Sequence, residues 1–101
     1  MSNEIMTDLQ YQALVLVQAL LGVISPNFRM VWISVEEIIT IYIVLEVECD
    51  EDLEEIEDLG AEFEALQEVS LDYEIKTLIN DGNLLYPDVS RSLIVFKRRE
   101  V

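Results

Sequence analysis

The sequence predicts an α+β sandwich: two helices packed on one face of a mostly antiparallel sheet of three to four strands. The predicted order is α-β-β-α-β, with a candidate fourth strand at the end. Three observations lead there. Residues 7–21 and 50–68 repeat apolar side chains at three- and four-residue steps, the period of a helix lying on a core. Residues 28–34, 38–48 and 73–80 are short runs rich in β-branched and aromatic residues, as strands are. The first two of these runs are so close in sequence that they suit an antiparallel hairpin. With 101 residues the chain makes one domain, 1–101, with a single core and no internal repeat.

Thr7-x-x-Gln10 has the form of a capping box, opening a helix predicted to run to about Leu21 with Gly22 near its end. Leu9, Ala13, Leu16, Val17 and Leu20 share one face. Tyr11, Leu14, Val15 and Leu21 lie elsewhere, balanced only by Gln10, Gln12 and Gln18. A helix apolar nearly all round is buried on more than one side. Either this domain wraps it, or a second copy covers it in a homodimer.

Ser25-Pro26-Asn27 turns the chain. In the strand Phe28–Ser34, Phe28, Met30 and Trp32 alternate with Arg29, Val31 and Ile33. Glu36-Glu37 marks the connection to Ile38–Glu48, the strongest strand signal. There Ile39, Ile41, Ile43, Leu45 and Val47 face the helices, and Thr40, Tyr42, Val44, Glu46 and Glu48 face away. A third strand, Tyr73–Asn80, sets Tyr73, Ile75, Thr77 and Ile79 against Glu74, Lys76 and Leu78. Asp81-Gly82-Asn83 is a turn, Leu84–Ser90 with Pro87 a loop, and Ser92–Lys97 the candidate last strand.

The second helix, from Asp50 to before Ser70, is where function is written. Leu53, Ile56, Leu59, Gly60, Phe63 and Leu66 make one apolar stripe. Asp50, Glu51, Glu54, Glu57, Asp58, Glu62, Glu64 and Glu68 spread over the other half. Asp50 suits the N-cap, and the acids after it suit the positive end of the helix dipole. Gly60 costs about 1 kcal/mol of helix propensity relative to Ala, but within the stripe it lets the helix lie close on a sheet. No lysine or arginine pairs the acids locally: between Met30 and Ile75 there are sixteen acids and no base, while four of the six bases lie from Arg91 onward.

The formal charge is −15, from 21 acids against 6 bases. Such a surface repels duplex DNA and anionic membranes, which leaves a cationic protein as the partner it would capture. The plainer reading is that net charge only keeps the chain soluble. The 51% apolar content excludes a disordered acidic tail. A single cysteine, Cys49, permits no internal disulfide and suits a reducing compartment. The start lacks a basic secretory leader, and no apolar run reaches the roughly 20 residues a spanning helix needs, so the expectation is cytoplasmic.

The residues that could carry chemistry are better explained otherwise. No histidine is present, so the commonest general base and metal ligand is missing. The paired carboxylates lie along a solvated helix face with no nucleophile motif or phosphate loop, so neither catalytic residues nor a cofactor is predicted. Asp50, Asp52 and Glu54 resemble a calcium loop only superficially: the turn glycine and the terminal bidentate glutamate are missing, so no metal site is predicted. Cys49 reads as a packed or idle thiol. Trp32 is assigned to the core and Tyr42 to the sheet face away from the helices. Lys97-Arg98-Arg99 is a weak nucleic-acid footprint beside so acidic a body, and pairing with the chain's own acids suits it better.

The run Ala19-Leu20-Leu21-Gly22-Val23-Ile24-Ser25-Pro26-Asn27-Phe28-Arg29 carries a resemblance to a known family. So do Glu54-Glu55-Ile56-Glu57-Asp58, Glu62-Phe63-Glu64-Ala65-Leu66-Gln67 and the terminal Lys97-Arg98-Arg99-Glu100. Together they resemble the immunity proteins of bacterial contact-dependent growth inhibition systems. The resemblance implies a cytoplasmic protein that binds and neutralises a cognate toxin domain, often a nuclease; with no catalytic motif among its residues, the chain is not expected to be an enzyme. Charge then selects the partner-binding residues. Glu51, Glu54, Glu55, Asp58 and Glu62, with Glu46 and Glu48 at the adjoining sheet end, form a steering surface, and Tyr42 is a candidate aromatic anchor. The alternative function is a homodimeric structural or adaptor subunit built on the first helix.

Overall fold

The computed structural model describes residues 2–100, with side chains described from residue 8. Six elements follow in order: α1 (Ser2–Ala19), β1 (Phe28–Val35), β2 (Ile39–Leu45), α2 (Asp50–Ala65), β3 (Tyr73–Ile79) and β4 (Ser92–Lys97). The strands form one sheet in the order β3-β2-β1-β4. β1 is antiparallel to both β2 and β4, whereas β2 and β3 run parallel. Parallel neighbours need a crossover, and α2 supplies it. The predicted α+β order holds, and Ser92–Lys97 is a full fourth strand.

Both helices cover one face of the sheet. Leu9, Ala13, Val15, Leu16, Ala19 and Leu20 from α1 meet Ile56, Leu59 and Phe63 from α2 over Phe28, Val31, Ile33, Ile41, Ile43 and Leu45. At the far end of this layer Gln12 and Gln67 join their side-chain amides by two reciprocal hydrogen bonds, 3.0 and 2.8 Å. The opposite sheet face carries a smaller cluster of Met30, Trp32 and Val44, against which Tyr42 and Leu84 pack.

Gly60 has the predicted role. A Cβ there would lie 3.2 Å from Ile75 Cδ1, and the Tyr73 hydroxyl donates to the Gly60 carbonyl at 3.0 Å. The helix backbone therefore rests directly on the Ile75 and Tyr73 side chains of β3, with no side chain of its own between.

Several local expectations need correction. α1 already runs from Ser2, so Thr7 is not its cap; the Thr7 side chain is outside the described residues. Glu, Met and Ile before the apolar stripe are compatible with helix and extend it backwards. α1 stops at Ala19 rather than Leu21, closing through Leu21 N–H to Gln18 O at 3.2 Å, and Gly22 adopts φ +82°. That left-handed conformation is costly for a residue with a Cβ. In α2 the N-cap is Cys49, with no side-chain cap bond, and Asp50 is the first helical residue.

β1 does not alternate as read from the sequence. Phe28 pairs with Leu45 but Met30 with Val44, so one extra residue sits in β1 at this bulge. Phe28 therefore faces the helices while Met30 and Trp32 face away. A second irregularity, between Val31 and Trp32, brings both Val95 and Phe96 of β4 towards the helix layer. In β2 the alternation holds to Leu45, but Val47, past the strand end, is 53% exposed and does not join the core.

Candidate functional site

α2 is fixed from below and bare above. Leu59 and Phe63 are wholly buried, and the Phe63 ring tilts against Tyr73 with centroids 5.4 Å apart. Its first turn is tied down by a clasp that the sequence did not reveal. Asn27 donates from Nδ2 to Asp52 Oδ2 at 2.9 Å and to Val47 O at 2.8 Å. Its Oδ1 accepts from Val47 N–H at 3.0 Å. Asp52 is thus a buried acid with a partner, unlike the rest of the helix.

Glu51, Glu54, Glu55, Asp58 and Glu62 are all exposed. At 100° per residue they occupy one arc of about 100°, on the flank of α2 away from Gly60 and β3. Glu48, exposed in the loop just ahead, extends the row. Among the described residues none of these six makes an ion pair. Asp50–Glu54, Glu51–Glu55, Glu54–Asp58 and Asp58–Glu62 are like-charge neighbours at i,i+4, which together weaken the helix by about 1–2 kcal/mol at low salt. Glu62 and Glu64 also stand at the negative end of the dipole, with no base in the last turn. Folding alone would favour mixed signs here.

The other two predicted site residues are elsewhere. Glu46 is exposed but paired with Arg98 at 2.9 Å. Tyr42 lies on the sheet face away from the helices, stacked on Trp32 with centroids 4.7 Å apart and planes 12° from parallel, and Lys76 Nζ lies 5.7 Å from its ring centre. The sheet separates Tyr42 from the α2 row, so the structure does not bring all eight predicted residues together. Trp32 is buried, as expected, although by the smaller cluster.

The cations are accounted for differently. None of the six lies on a helix. Arg29, buried at the β1 bulge, donates Nε and Nη2 to the two carboxylate oxygens of Glu100, both at 2.7 Å. Its Nη1 donates to the carbonyls of Asn80 at 2.6 Å and Gly82 at 2.8 Å. It joins the start of β1, the turn after β3 and the C-terminal segment. Its hydrogen bonds to Glu100 raise the guanidinium pKa further, and hold the Glu100 carboxyl well below the carboxylate range, at about 2. Arg98 pairs with Glu46 and Glu100 and donates to Pro26 O at 2.8 Å. Lys97 Nζ sits 5.9 Å from the Tyr86 ring centre. A lone charge inside the apolar run Phe28–Val35 was the available sign that Arg29 needs a buried partner.

The concave features offer little for catalysis. A cleft of about 430 Å³ between the start of β2 and α1 is lined by Asp8, Glu36, Glu37 and Asp72, with Gln12. It gathers carboxylates without a nucleophile or a cation. A groove of about 250 Å³ on the opposite sheet face is lined mainly by Trp32, Val44, Leu78, Leu84 and Tyr86. Among the described residues no three His, Cys, Asp or Glu side chains are grouped to hold a metal ion. No described helix is long and apolar enough to cross a membrane.

Residues 10–100 match the family model of the MafI2 immunity protein. The chain belongs to that family. No individually curated protein matches it. Membership in the MafI2 immunity family carries the role the resemblance implied, binding and neutralising a cognate toxin. Contact-dependent growth inhibition, the finer assignment, is not part of the match.

Proposed function

We propose that this MafI2 immunity protein neutralises its toxin in the cytoplasm by binding alone. The acidic flank of α2 is laid over a cationic, phosphate-binding surface such as that of a nuclease. A nuclease must present lysines and arginines to its substrate's phosphates, and carboxylates at helical spacing take their place. The reading rests on one observation above the others: Glu48, Glu51, Glu54, Glu55, Asp58 and Glu62 form an exposed, unpaired row on a helix whose other side is firmly buried. A rigid row meets its partner without an ordering penalty, and opposite fields speed the encounter. Glu46 supports the row indirectly, since its ion pair with Arg98 fixes the chain leading into α2. Tyr42 stands outside this surface.

The toxin-free alternative, a purely structural homodimer, leaves the strained acidic helix without a purpose. The experiment is stopped-flow association with the cognate toxin domain as ionic strength rises. The rate constant is expected to fall at least tenfold between low and physiological salt. A rate indifferent to salt would remove electrostatic capture from the mechanism.

A further inference from the structure

From Leu9 to Phe28 the chain contains no charged residue, although 27% of the whole is charged. Much of that stretch is buried in the core, but its outer side is not. Leu14 is 66% exposed and Leu21 77%, and Tyr11, Val17 and Ile24 are each about two-fifths exposed. On the helix, Tyr11, Leu14 and Val17 follow one another at steps of three, Leu21 continues the row in the turn just after it, and only the exposed amides Gln10 and Gln18 are interleaved. The described fold leaves Leu14 and Leu21 mostly uncovered.

We propose that this outer face of α1 is a two-fold interface with a second copy of the same chain. The charge distribution selects that occupant. Two molecules of net charge −15 repel through the carboxylates of α2, so they can approach closely only through a surface without charge. The α1 face is such a surface. Packing α1 against its symmetry mate sets Leu14, Val17 and Leu21 against their equivalents, and a two-fold operator matches any such patch to itself. It also sets one α2 on each outer flank, roughly three interhelical spacings (about 25–30 Å) from the other, some three Debye lengths at physiological salt. The uncharged part of α1, from Leu9 onward, acts as both seam and spacer. The dimer presents two acidic rows and is bivalent for the partner of α2.

Sedimentation equilibrium of the purified full chain tests this without any toxin. At about 100 µM wild type is expected to run at twice the 11.7 kDa chain mass, dissociating on dilution towards 1 µM, with little response to added salt. The double variant Leu14→Glu with Leu21→Glu, changed at exposed positions, should stay at the chain mass at all loadings and keep its far-ultraviolet circular dichroism. Wild type that remains at the chain mass at high loading overturns the interface. So does a dimer that survives the double variant, which would place the contact elsewhere.

Discussion

α1 and α2 lie on the same sheet face and bury similar aliphatic stripes, yet their outer sides are opposites. Outside α2 stand carboxylates without counter-charges; outside α1 stand Leu14 and, in the turn that follows, Leu21, both mostly uncovered. The sheet requires neither. A sandwich helix needs only its inner stripe, and a mixed polar outer face would have served stability better in both. We read the two outer faces as surfaces for partners, and for different ones. The acidic side suits a cationic protein across a water-rich, salt-sensitive contact, whereas the apolar side suits a dry contact with a copy of itself.

The largest expected effect contrasts an inner with an outer position. Phe63 is wholly buried against Tyr73, and Phe63→Ala should cost about 3–5 kcal/mol in urea unfolding. Leu14→Ala, measured on dilute protein, should change stability by no more than about 0.5 kcal/mol. Raising the protein concentration should then separate Leu14→Ala from wild type, because only a side chain lost from a dimer seam gains importance with loading. A large loss for Leu14→Ala in dilute solution would mean that α1 is covered within its own molecule.

A smaller effect separates stability from binding on α2. Glu55→Lys and Glu62→Lys, made together, turn two repulsive i,i+4 pairs, with Glu51 and Asp58, into attractive ones. The second substitution also places a cation at the negative end of the helix, and folding should gain roughly 1 kcal/mol. The same change should slow association with a cationic toxin about tenfold at low salt. Unfolding curves and association kinetics on one preparation read both. A variant that binds as fast as wild type would show that the row is ballast for solubility.

How much of this contrast could be read from the chain follows from which regularities are local. Helical period located the α2 stripe residue by residue, Gly60 included, because it depends only on side-chain spacing. Strand alternation likewise put Tyr42 on the face away from the helices. In a two-layer fold that already separates it from the outer side of α2, so grouping Tyr42 with the acidic row contradicted the predicted architecture itself. The β1 bulge was not legible, since nothing in Phe28-Arg29-Met30 marks an extra residue until Leu45 and Val44 are set opposite. Nor were the Asn27–Asp52 clasp and the Arg29–Glu100 pair, which join residues 25 and 71 positions apart. Asp50 was an acceptable cap by residue type, but the helix starts there because Cys49 holds the extended conformation.

The smallest effect concerns a carboxylate already used within the fold, against which the free ones on α2 can be measured. Glu100 is held at about 2 rather than 4.5, first by the hydrogen bonds from Arg29, then by that guanidinium's charge and by Arg98. Its folded-state value is depressed, so its contribution is complete above the unfolded value near 4.5. It is lost as pH falls through the window down to about 2. Acid also relieves the repulsion among the other carboxylates, so the stability of wild type alone mixes opposing trends. The difference between wild type and Glu100→Gln isolates the pair: wild type should hold a constant advantage above about pH 5, narrowing steadily towards pH 2. Toxin association should not distinguish the two proteins at neutral pH, because Glu100 is held by Arg29 and Arg98 and does not belong to the α2 row. If the difference stays flat across the window, Arg29 holds the C-terminal segment through the Asn80 and Gly82 carbonyls, and the carboxylate adds nothing to the bond.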